Sequence, residues 1–115
     1  MWRWLVGIFL ILHGITHVFW PYYGPSTSWL IGDAPALAIA LWVAATALFV
    51  IAGLALIVRS SLWRPLTVVS AIESIALMLL FWSIGLWVGL AINIAVLGVL
   101  TWMQRRVPRG RLATT

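Results

Sequence analysis

Four stretches of this chain are each long enough and apolar enough to cross a lipid bilayer, and nothing else in the sequence limits the fold so severely. A spanning helix needs about 20 mostly apolar residues to cover a hydrocarbon core of about 30 Å. Within that core every backbone N–H and C=O must be satisfied inside the segment, which selects helices. The predicted spans are residues 2–20, 35–58, 65–83 and 86–103. The first stops at Pro21. The second opens on Pro35, a good first-turn residue, with Asp33 just before it as a candidate cap. The expected fold is therefore all-α: a single-domain integral membrane four-helix bundle over residues 1–115.

Composition narrows the function. The chain is 64% hydrophobic and only 8% charged, so its net charge of +5 reflects few charges rather than a basic surface. Nucleic acid is excluded as the natural reading of that charge, and the bilayer takes its place as partner. There is no cysteine, hence no disulfide, thiolate metal site or thiol nucleophile. The first span lacks a small-residue cleavage site before "VFWPYYG" and reads as a retained span. No glycine-rich phosphate loop, serine–histidine–acid set or carboxylate pair can be assembled, so no catalytic residue is assigned.

Arginine placement gives an orientation. Arg3 precedes the first span, Arg59 and Arg64 lie between the second and third, and Arg105, Arg106, Arg109 and Arg111 follow the fourth. The opposite loops contain none, which predicts both termini on the cytoplasmic side. Trp20, Tyr22, Tyr23, Trp29, Trp82 and Trp87 then form an outer aromatic belt, and Trp2, Trp4, Trp63 and Trp102 an inner one. The loop from Pro21 to Ala34 is expected to cap the outer end, and "RSSLWRP" with the arginine-rich tail to meet anionic headgroups. Small residues mark candidate packing faces: Gly14 on the first helix, Ala36, Ala40 and Ala44 on the second with Ala52 and Gly53 deeper, Gly85 and Gly89 leading to Asn93 on the fourth.

Ionisable residues inside spans usually face a bundle interior. Counted at ~1.5 Å per residue from the outer belt, His17 lies ~5 Å deep, His13 ~10 Å, Asn93 ~9 Å and Glu73 ~14 Å. These depths predict a polar intramembrane cluster of His13, His17, Glu73, Ser74 and Asn93, with Ser70 and Thr46 at compatible heights. An unpaired carboxylate at that depth must take up a proton or find a partner. His13 is the candidate partner for Glu73, either as a proton-sharing pair or within a network that fixes helix register.

His13 and His17, four residues apart, share one helix face, and Gly14 between them leaves room for a neighbouring helix or a flat ligand. Three uses fit: hydrogen bonds across helices, two ligands to a metal, or one ligand to a tetrapyrrole. Two histidines on one face cannot be opposite axial ligands of one haem, and "HGITH" lacks the glutamate of an HExxH protease.

"LHGITH" in the first span, "WRPL" at the start of the third and "INIAVL" in the fourth together resemble a group of small bacterial four-span proteins. Those proteins often carry the automatic label "ABC transporter permease". In size and layout the chain is also loosely similar to DoxX-type membrane proteins. The resemblance covers most of the chain and touches His13, Gly14, His17, Trp63, Arg64, Pro65 and Leu66. It implies a multi-pass protein of the bacterial cytoplasmic (inner) membrane.

Two functions of different class are expected. One is a non-enzymatic accessory or assembly subunit of a larger membrane complex, partnered by another membrane protein or by its own copies. The other is a ligand-handling protein, a transporter component or a binder of a tetrapyrrole, quinone or metal, with His13, His17 and Glu73 as working groups.

Overall fold

A computed structural model describes residues 1–20 and 24–106. Its four main helices are α1 (Trp2–Thr16), α2 (Pro35–Ile57), α3 (Trp63–Leu80) and α4 (Trp87–Arg106). A 3-10 turn over His17–Phe19 extends α1 and another over Ile84–Leu86 precedes α4. All four segments are long and apolar enough to cross a membrane. Large apolar side chains such as Leu5, Leu12, Ile39, Ile51, Val69 and Ile72 stand exposed around the outside. That much bare apolar surface is sustainable only against lipid or another protein. Tyr22, Tyr23, Arg109, Arg111 and the predicted stop at Pro21 lie outside the described residues.

The helices run up and down, with α1 against α2, α2 against α3 and α4 leaning on α3. The α1–α2 seam is set by glycine. A Cβ on Gly7 would lie 3.0 Å from the Gly53 carbonyl oxygen, one on Gly53 2.5 Å from the Gly7 oxygen, and one on Gly14 2.7 Å from Phe49 Cβ. Backbones this close exclude any side chain between them. On α2 the packed alanines are Ala38, Ala45 and Ala52, seven apart, with Ala55 beside them. The expected stripe differs: Ala36 and Ala40 are exposed, because the phase of α2 is fixed by Phe49 and Gly53 meeting α1.

α3 begins at Trp63, ahead of the predicted Pro65. Proline is tolerated there because first-turn N–H groups have no intrahelical acceptor. α4 is the least buried helix, with only Asn93 and Leu100 enclosed. Between α1 and α4 an apolar cleft of about 470 Å³ stays open in the arginine-bearing half, with Phe9, Leu10, Val96 and Val99 among its walls.

At the other end a short hairpin pairs Thr27 with Asp33 and Ser28 with Gly32. Gly32 has φ +80°, a left-handed conformation glycine adopts without strain. The Ser28 hydroxyl accepts the Leu30 and Ile31 N–H groups at 3.2 and 3.4 Å, closing the turn. Trp29 at its tip donates its indole N–H to the Leu79 carbonyl at 2.6 Å, tying the loop to the end of α3. Ala34, not Asp33, precedes α2, and it makes no side-chain cap. Asp33 belongs to the hairpin and accepts from the Thr27 hydroxyl at 3.4 Å. Trp20, assigned by sequence to the lipid-facing belt, is instead buried with Ala38, Leu77, Met78 and Phe81. It lies on the packed face of its helix, three residues past buried His17 and seven past buried His13.

Candidate functional site

His13 and His17 are both buried, on the face of α1 that also carries Gly7, Leu10 and Gly14. The helix tightens at His17, whose backbone N–H reaches Gly14, three residues back. The His13 carbonyl is served instead by side chains: the Thr16 hydroxyl donates to it at 2.5 Å and His17 Nδ1–H at 3.2 Å. Because a carbonyl only accepts, His17 carries its proton on Nδ1 and its Nε2 is an acceptor. The Ser74 hydroxyl, 2.7 Å away, donates to that Nε2.

Ser74 Oγ in turn accepts from Asn93 Nδ2 at 3.0 Å, and the same amide nitrogen donates to the Gly89 carbonyl at 3.0 Å. Asn93 Oδ1 accepts from His13 Nε2–H at 3.3 Å. The bonds form a closed ring with one direction: His13 to Asn93, Asn93 to Ser74, Ser74 to His17, and His17 back to the His13 carbonyl. It links α1, α3 and α4, and its side chains are buried. Satisfied rings of this kind hold their members in one arrangement, because any unpaired buried polar group is costly.

Aromatic rings box in the imidazoles. His13 stacks on Phe9 with centroids 5.9 Å apart and meets Phe49 edge-on at 4.8 Å. The two imidazoles lie edge to face at 5.4 Å. Phe49 is not legible in the sequence, because one phenylalanine in an apolar span carries no positional signal.

The structure thus brings His13, His17, Ser74 and Asn93 together and leaves Glu73 out. Both Glu73 carboxyl oxygens are shielded and have no hydrogen-bond partner among the described residues. Ser74 faces the ring, and its neighbour on a helix is turned away by about 100°. The expected His13–Glu73 pair does not form. Thr46 and Ser70 also stay outside, each donating to a carbonyl of its own helix, Trp42 at 2.9 Å and Leu66 at 2.6 Å. Gly14 packs on α2 and Gly89 on Met78, whereas Gly85 meets nothing within 4 Å. It precedes α4, in the 3-10 turn, and so never joins the helical stripe.

A hollow of about 130 Å³ lies beside the ring, lined by His13, His17, Thr16, Trp20, Met78 and Gly89 among others. Both His17 nitrogens are engaged, which leaves His13 Nδ1 as the imidazole nitrogen without a partner among the described residues. No group of three His, Asp or Glu side chains able to hold a metal occurs among those residues. Pockets for drug-sized ligands begin at roughly 300 Å³. The hollow suits a small molecule or ion rather than a macrocycle.

Fold and site together define a small multi-pass helical membrane protein with a buried polar ring. No family model matches the chain, and neither curated proteins nor solved structures provide a match.

Proposed function

We propose that this chain is a non-enzymatic accessory or assembly subunit of a larger membrane complex, in the bacterial inner membrane, docking its partner through α4. The surface of α4 carries this reading. Trp87, Ala91, Ile94, Gly98 and Trp102 form one exposed stripe opposite Asn93. A Cβ on Gly98 would meet nothing within 4 Å. A small residue in a span is useful where another backbone approaches, and among the described residues none approaches Gly98. The polar ring supports the same role, since all of its hydrogen bonds but the one His13 Nδ1 could make are spent on holding helices together. The connection from Val58 to Leu62 between α2 and α3 is too short to couple to a separate ATPase, so the permease role implied by the resemblance requires a further chain to supply that surface.

Site-specific photo-crosslinking in native membranes tests the proposal. A photoreactive residue at Ala91 or Ile94 should give one discrete protein adduct, and Gly98→Leu should abolish it while leaving thermal unfolding of the isolated chain unchanged. Adducts to lipid alone from every position of the stripe would defeat the reading.

The His-lined hollow and the unpartnered His13 Nδ1 favour a second reading, the handling of a small ligand or ion. Purified protein carrying a metal or an absorption band that His13→Ala removes would support it. Colourless, metal-free protein that co-purifies with a fixed partner would support the subunit role instead.

A further inference from the structure

We propose that the arginine-bearing end holds one anionic phospholipid, its phosphate among Arg3, Arg59 and Arg64 and one acyl chain in the cleft between α1 and α4. Two hollows meet there. A polar one of about 370 Å³ is lined by the three arginines with Ser60 and Ser61. The apolar cleft of about 470 Å³ runs from it along α1 and α4. Trp2 and Trp63 belong to both, packed edge to face with centroids 6.4 Å apart. Charged and apolar binding surfaces are therefore continuous across one aromatic pair, as an amphiphile with a negative head requires.

Among the described residues no carboxylate answers this charge. The sequence contains two side-chain carboxylates, Asp33 in the hairpin at the opposite end and Glu73 midway along α3. Three guanidiniums around one hollow call for an external anion, and arginine's forked donors suit phosphate. Backbone conformation gives a second, independent observation. Arg59 has φ +66° in the turn that ends α2, where its N–H bonds the Leu56 carbonyl at 3.2 Å and Ser60 N–H bonds that of Ala55 at 2.8 Å. Glycine is the usual occupant of such a helix-ending position, because a side chain there is strained. An arginine held in that conformation sets its side chain at the wall of the polar hollow. Arg64 is steered too, its guanidinium 5.4 Å from the Trp63 ring centroid.

Native mass spectrometry of the full chain in mild detergent, with equal dioleoyl phosphatidylglycerol and dioleoyl phosphatidylcholine, tests the assignment. One phosphatidylglycerol should be retained per chain, about tenfold over phosphatidylcholine. Arg59→Gln with Arg64→Gln should erase the preference. Val99→Trp, which fills the cleft and leaves the arginines intact, should also lose the bound lipid. Circular dichroism checks each variant, and Arg3→Gln alone, weakening the preference, serves if the double variant does not fold. Equal retention of the two lipids, or undiminished retention in Val99→Trp, would overturn the proposal. So would displacement of the lipid by millimolar inorganic phosphate, which would make the arginines a site for a soluble anion.

Discussion

Asn93 uses both ends of its amide to join three helices, giving to Ser74 and Gly89 and taking from His13. Asn93→Ala should cost about 1–3 kcal/mol in thermal or denaturant unfolding in detergent, because it strands His13 Nε2–H and empties Ser74's acceptor. His17→Ala and Ser74→Ala should be non-additive by about 0.6 kcal/mol, a common coupling for one intramembrane hydrogen bond. Glu73 should behave in the opposite way. With no partner to lose, Glu73→Leu should raise the melting temperature, and its effect should add to that of His13→Ala; a drop would reveal a partner for the carboxyl. The sequence discloses part of this site. Four-residue spacing puts the histidines on one face, and counting from the aromatic belts places Ser74 and Asn93 at a matching height. Counting yields height and not direction around the helix axis, so Glu73, one residue from Ser74, was indistinguishable from it.

At the scale of elements, the seams differ in kind. α1 and α2 meet through glycine, so Gly53→Ala should destabilise by about 1–3 kcal/mol, since its Cβ would press on the Gly7 carbonyl and Ile11. Gly98→Ala should leave unfolding of the isolated chain unchanged or improve it by up to about 1 kcal/mol, from helix propensity in open space. Measuring both in one detergent controls for propensity. Helix existence and extent were readable because twenty apolar residues have few alternatives. Which small residues pack is legible only in part: Gly14, Ala52, Gly53 and Gly89 do, and Ala36, Ala40 and Gly85 do not. Ala36 and Gly85 look as suitable as Ala38 and Gly89 until the phase of α2 and the start of α4 are known.

At the scale of the molecule, the hairpin and the arginine cluster mark opposite ends, and the four antiparallel helices put Met1 and the end of α4 at Arg106 on the arginine side. Since the chain has no cysteine, Ser26→Cys and Ser61→Cys each introduce a unique thiol. In intact cells a membrane-impermeant maleimide should label Ser26→Cys, and should label Ser61→Cys only after lysis; the reverse would invert the topology. The sparse burial of α4 has one more consequence. Three helices are locked by interdigitated packing, while the last combines a few apolar contacts through Gly89, Leu90 and Leu97 with polar ties that lipid cannot replace but another protein's amide or hydroxyl can. It should be the first element to come off under stress, and a binding companion could take its place without unravelling the rest.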